Sequence, residues 1–95
     1  MGTFAEGLAT RVAFELPQRI LWRHLNEFVL VDDDELRSAM LVLLDTTRNL
    51  IEAAGAAPLA AALKLRDRLS GRRVALVASG GNVSRDQLTD LLRTS

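Results

Sequence analysis

Val74-Ala75-Leu76-Val77-Ala78 runs directly into Ser79-Gly80-Gly81-Asn82, and the reading of this junction decides the expected fold. Five consecutive apolar residues between Arg72-Arg73 and a glycine pair have the pattern of a buried strand, because a strand covered on both faces needs no polar alternation. Beyond it, Gln87, Leu88, Leu91 and Leu92 fall at helical spacing, with Ser84 or Asn82 placed to cap that helix. A strand that breaks at two glycines before a helix is the most suggestive place in the chain for a ligand. Glycine accepts positive φ and lets a ligand approach the main chain, and free amides at a helix start attract anions. The same spacing also describes an ordinary strand-to-helix turn, which glycine pairs mark more often than they mark sites.

Working outward, Phe28-Val29-Leu30-Val31 is a second compact apolar stretch, read as a strand. Asp32-Asp33-Asp34-Glu35 follows it, with capping-box spacing between Asp32 and Glu35. The run lacks the alternating ligand spacing of a calcium loop and sits where a helix start favours negative charge, so it reads as a cap. Leu36, Met40, Leu43, Leu44, Thr47 and Leu50 or Ile51 then form one apolar stripe over roughly four turns. An alanine-rich helix extends from Glu52 and closes at Leu69-Ser70-Gly71, with Gly71 as a left-handed cap. Near the start, Glu15 to Leu25 has helical spacing at Leu16, Ile20, Leu21 and Leu25, while residues 1–10 read as a loop.

The expected fold is therefore α/β: a partial doubly wound sheet in the order helix, strand, helix, helix, strand, helix. Two strands make a poor sheet alone, and a stable one generally needs three or more. Both apolar stretches are expected to join strands that lie outside this sequence, in a larger domain of which this chain is a fragment.

Bulk composition narrows the function. The 95 residues suit a single small core, and a formal charge of zero with 12 cations against 12 anions gives no surplus for nucleic acid or an anionic membrane. There is no cysteine for disulfides or thiolate metal sites. No apolar run approaches the ~18 residues of a membrane span, and no basic-then-apolar leader is present. The expectation is a cytoplasmic protein with no nucleic-acid or membrane partner and no metal. His24 is the only histidine and cannot form a usual zinc site by itself, Trp22 reads as packing, and Lys64, the only lysine, reads as a solvated partner of nearby acids. Glu52, just before Ala-Ala-Gly-Ala, reads as stabilising the start of its helix.

Three segments in order, Thr3-Phe-Ala-Glu-Gly-Leu-Ala9, Glu52-Ala-Ala-Gly-Ala56 and Ser79-Gly-Gly-Asn82, resemble the end of a threonine/serine dehydratase. In that family of pyridoxal-phosphate enzymes, similar to the tryptophan synthase β-chain fold (fold type II), the corresponding segments are of the types Ala-Asp-Gly-Ile-Ala, Glu-Gly-Ala-Gly-Ala and Ser-Gly-Gly-Asn. Phe28 to Leu36 also resembles the family's Val-x-Val-Ser-Asp-Glu-Glu-Ile stretch, so the likeness spans nearly the whole chain. The resemblance implies that residues 1–95 are the C-terminal segment of a pyridoxal 5'-phosphate enzyme domain. It makes Ser79, Gly80, Gly7 and Glu52 the cofactor-binding positions. Ser79 would hydrogen-bond the pyridine nitrogen, while Gly7 and Glu52 would lie beside the ring. A neutral serine leaves that nitrogen largely unprotonated, which suits β-elimination of a hydroxyl followed by loss of ammonia; here the protein tunes the cofactor's electronics.

Two departures are mild: Glu6 stands for the usual Asp and Ala53 for the usual Gly. The Schiff-base lysine in its Ser-x-Lys-x-Arg setting, the asparagine loop over the substrate carboxylate and the glycine-rich phosphate cradle have no counterpart in these 95 residues, and Lys64 has none of that context. No residue of the chain is therefore assigned a catalytic role, and the chain is not expected to catalyse alone. The implied partners are the remainder of the enzyme domain or further copies of the chain, with an amino acid as substrate. The alternative from another class is a non-catalytic α/β interaction module that docks through an exposed apolar face. A nucleotide site at Gly80-Gly81 ranks below both, because Gly-x-Gly-x-x-Gly spacing is missing.

Overall fold

The computed structural model describes residues 27–93, together with Leu16, Arg19 and Arg23, which are helical. Gly7, Trp22, His24 and most of the expected first helix lie outside the described residues. Helix α1 spans Asp33–Thr47, α2 Ala53–Lys64, α3 Arg66–Leu69 and α4 Arg85–Arg93.

Helix α1 begins as its sequence dictates. The Glu35 amide donates to Asp32 Oδ1 at 2.7 Å and the Asp32 amide donates to Glu35 Oε1 at 3.0 Å, so each carboxylate satisfies an otherwise orphaned donor. The acidic run is thus used as a cap with its negative charge on the positive end of the helix. The helix stops at Arg48, which adopts the left-handed conformation (φ 59°, ψ 28°) and returns its amide to the Leu44 carbonyl at 3.1 Å. The Asn49 side-chain amide donates to the Thr47 carbonyl at 3.0 Å, occupying one of the acceptors left open at this end. The apolar stripe accordingly ends earlier than its spacing suggests: Thr47 is exposed, and Leu50 and Ile51 lie beyond the helix.

Helices α1 and α2 pack on each other, and the residues they bury are mostly small. Among the described residues the core consists of Leu36, Ala39 and Met40 from α1, Ala53, Ala56 and Ala60 from α2, and Leu91 from α4. Alanine at 0% exposure in both helices, Ala39 and Ala56, leaves no depth for a bulky side chain between the backbones. The alanine-rich segment expected to run to Leu69 is interrupted at Leu65, so α3 is a separate short turn. Gly71 follows at φ +76°, the left-handed position expected of it. Helix α4 opens with the reciprocal pair Ser84 and Gln87: the Gln87 amide donates to Ser84 Oγ at 3.1 Å and the Ser84 amide to Gln87 Oε1 at 2.9 Å.

The expected α/β architecture is corrected by the structure. Among the described residues there is no strand and no sheet; residues 27–32 and 72–84 run as chain outside any helix. A strand exists only as part of a hydrogen-bonded ladder, and an apolar run has no ladder without a neighbour. Val74, Leu76 and Val77 are 46%, 41% and 76% exposed, so the stretch that reads as a covered strand is uncovered. Phe28 and Leu30 are likewise exposed. Among the described residues no helix is long and apolar enough to cross a membrane.

The 27–30 segment is tied down by charge. Arg68 donates through Nη1 and Nη2 to the two Glu27 carboxylate oxygens at 2.9 and 2.8 Å, a bidentate fork. Lys64 Nζ donates to the Leu30 carbonyl at 2.7 Å and reaches Glu35 Oε1 at 3.4 Å. The Arg68 hydrogen bond first, and its charge second, hold the Glu27 carboxyl below its ordinary value of 4.5.

Two outcomes follow from this packing. A titration of Glu27 followed by carboxyl carbon shifts is expected to show a midpoint below the ordinary glutamate value in the native chain and a return towards that value in Arg68→Gln. Because the folded-state affinity for the proton is depressed, the pair favours the fold above the ordinary glutamate range, and this contribution disappears as pH falls through the folded midpoint. In a urea titration, Arg48→Gly is expected to raise stability by about 0.5–1 kcal/mol, since relief of the left-handed backbone outweighs the greater freedom glycine gives the unfolded chain.

Candidate functional site

The loop between residue 78 and α4 is held from below by the first turn of α2. Gly80 adopts φ +78°, a conformation that L side chains rarely adopt, and its carbonyl accepts the Glu52 amide at 3.1 Å. Glu52 is the N-cap of α2, so this bond satisfies one of the amides that a helix start leaves without an internal partner. One residue further along the loop, the Gly81 carbonyl accepts the Val83 amide at 2.8 Å and closes a three-residue turn around Asn82.

The absence of side chains lets these pieces meet. A methyl group at Gly55, inside α2, would overlap the Ser79 carbonyl oxygen and lie 2.7 Å from the carbonyl carbon and 2.9 Å from Ile51 Cγ2. Gly55 is the third residue of a helix otherwise rich in alanine, where alanine would be the better helix former. At Gly80 a methyl would run into the Glu52 carboxylate, with Cδ at 2.8 Å. At Gly81 it would meet the Leu50 carbonyl oxygen at 3.3 Å. The loop therefore lies on residues 50–55, backbone against backbone at Gly55 and Gly81 and against the Glu52 side chain at Gly80.

Of the positions singled out from sequence, Ser79, Gly80 and Glu52 come together here, and Gly7 lies outside the described residues. Ser79, Gly80, Gly81 and Asn82 are exposed, and among the described residues no group engages the Ser79 hydroxyl. Glu52 does not act as the side-chain cap that its position suggests: it makes no cap hydrogen bond, and its carboxylate lies against the Gly80 α-carbon instead. The space on that side of Gly80 is thus filled by protein. Gly55 was not among the site residues drawn from sequence. The signal that points to it is a single glycine inside an alanine run, at a place where helix propensity alone favours alanine.

A concave feature lies elsewhere. A cleft of ≈ 330 Å³ between the start of α1 and the end of α2 is lined by Asp32, Glu35, Ser38, Leu63, Lys64 and Arg66 among others. Its acids already have partners: Asp32 and Glu35 cap α1, Glu35 also meets Lys64, and Asp34 pairs with Arg37 at 3.0 Å. Among the described residues no cluster of His, Cys, Asp or Glu is arranged to hold a metal ion.

Comparison with known proteins bears on the loop. The pattern that defines the pyridoxal-phosphate dependent enzymes matches residues 1–80. The chain belongs to that family. Within it, the chain is 36% identical over 81 residues to an L-threonine ammonia-lyase of Thermotoga maritima and 42% identical over 82 residues to one of Geobacter sulfurreducens, in each case covering 85% of this chain and 20% of the relative. It is 35% identical over 96 residues to a catabolic L-threonine dehydratase of Staphylococcus aureus, covering 98% of this chain and 26% of the relative. The chain thus spans between a fifth and about a quarter of the length of these family members. No solved structure matches it significantly.

Gly80→Ala is expected to destabilise the chain by about 1–2 kcal/mol, the cost of forcing a side chain into the left-handed region. A lowered urea midpoint with an unchanged slope is the expected result.

Proposed function

We propose that residues 1–95 form the C-terminal segment of the catalytic domain of a threonine/serine ammonia-lyase and contribute the pyridine-nitrogen side of its pyridoxal 5'-phosphate site. The observation that carries this reading is the state of Ser79 in a chain of the pyridoxal-phosphate family. Its residue is exposed, its hydroxyl is unengaged among the described residues, and its backbone is pinned by α2.

These residues suit one edge of a flat heteroaromatic ring. A serine hydroxyl can donate to or accept from a ring nitrogen without contributing charge. Gly80 and Gly81 keep the neighbouring backbone low, so a ring can approach without meeting a side chain from either. When bound, the cofactor supplies the electron sink that lets a hydroxy amino acid lose its β-hydroxyl. The chain's own part is orientation: Ser79 would hold the nitrogen edge, and Glu52, whose carboxylate lies against the Gly80 α-carbon, would lie beside the ring. On this reading Gly7 would complete the same site.

Lys64 does not offer the amine that anchors the cofactor in this family. Its Nζ is committed to the Leu30 carbonyl and to Glu35. It is the only lysine in the sequence, so on this reading the anchoring amine would come from another segment or chain. The proposed partner is accordingly the remainder of such an enzyme domain or a further copy of the chain, and the proposed substrate is threonine, serine or a related amino acid.

The test uses pyridoxal 5'-phosphate and the purified chain. The expected outcome is weak binding, read as fluorescence quenching or a raised melting temperature at high cofactor concentration, that is lost in Ser79→Ala. No 2-oxoacid should form from threonine. Equal responses from the native chain and Ser79→Ala, or clear turnover by the chain alone, would reject the reading.

A further inference from the structure

Gly55 and the Ser79 loop are coupled more tightly than a shared site requires. One turn of α2 holds two successive peptide units of the loop: the Glu52 amide donates to the Gly80 carbonyl at 3.1 Å, and the Gly55 α-carbon lies against the Ser79 carbonyl. The two nearest obstacles to a side chain at Gly55 are backbone atoms of Ser79, which cannot swing aside as the tip of a flexible side chain can. Gly55 is itself buried, and alanine surrounds it at residues 53, 54, 56 and 57. The helix would be better formed with alanine there, whereas the loop tolerates no side chain.

We propose that Gly55 is a positioning residue for the Ser79 hydroxyl. By carrying no side chain it lets the first turn of α2 fix the Ser79–Gly80 peptide, and that peptide sets the direction in which the hydroxyl is presented. What the hydroxyl meets rests on the cofactor reading given above, but the placement of the loop does not. Gly55→Ala therefore has opposite consequences for two neighbouring elements: the helix gains and the loop is pushed away. A residue that merely supported the helix would move both in the same direction.

Amide hydrogen exchange and amide resonance positions of the 95-residue chain separate these cases. In the unaltered chain the Glu52 amide, although at a helix start, is expected to be protected; free exchange there overturns the proposal without any variant. In Gly55→Ala, exchange at Glu52 is expected to accelerate at least tenfold and the Ser79 and Gly80 resonances to move, while α2 amides beyond residue 57 exchange no faster than before. Ala62→Gly, which weakens the far end of α2, is expected to do the reverse. Unmoved loop resonances in Gly55→Ala, or loop changes no larger than those along the whole of α2, overturn the proposal.

Titration with pyridoxal 5'-phosphate supplies the second arm. If Gly55 acts through Ser79, the double variant Gly55→Ala/Ser79→Ala binds no more weakly than the weaker single variant. Fully additive losses overturn the positioning role. A displaced loop in Gly55→Ala with the same response to cofactor in all variants supports the placement of the loop by Gly55 and rejects the cofactor reading instead.

Discussion

The described structure depends on a backbone-to-backbone contact. The Ser79–Gly80 peptide lies on the first turn of α2, and this is possible because Gly55 has no side chain and Gly80 occupies a left-handed conformation. Residues that are distant in sequence are thereby joined without a layer of side chains between them. Glycine is a poorer helix former than alanine, so its presence in the first turn of an alanine-rich helix is explained by the contact it permits and not by the helix.

Small residues govern the rest of the packing as well. Ala39 of α1 and Ala56 and Ala60 of α2 are fully or nearly fully buried, and among the described residues the larger buried side chains are those of Leu36, Met40 and Leu91. Such a core removes little apolar area from water per residue, so hydrophobic burial alone gives it modest stability. Polar contacts fix the ends of the elements instead. The reciprocal caps at Asp32/Glu35 and Ser84/Gln87, and the fork between Arg68 and Glu27, set where α1 and α4 begin and where the segment before α1 lies.

Local signals proved legible in sequence because their causes are local. Asp32 with Glu35, the stripe from Leu36 to Leu44, Ser84 before α4 and Gly71 each act within one or two turns of chain, and each does in the structure what its spacing implies. The convergence of Glu52 with Ser79 and Gly80 followed from family resemblance, since nothing in their spacing brings them together. The sheet was misread because strand formation is not a local property. Val74–Ala78 has a strand's composition, yet among the described residues nothing pairs with it. The limit of α1 at Arg48 was also hidden, since arginine gives no warning of a left-handed cap.

The uncovered run from Val74 to Ala78 has a further consequence for the chain in solution. Short segments rich in valine and leucine, free of proline and charge, are the kind that stack with identical copies into cross-β ribbons. Arg72 and Arg73 stand immediately before this one and are themselves exposed. Copies aligned in parallel register would bring both guanidinium groups of one chain against those of the next, so the arginine pair would oppose that stacking while the run lies bare.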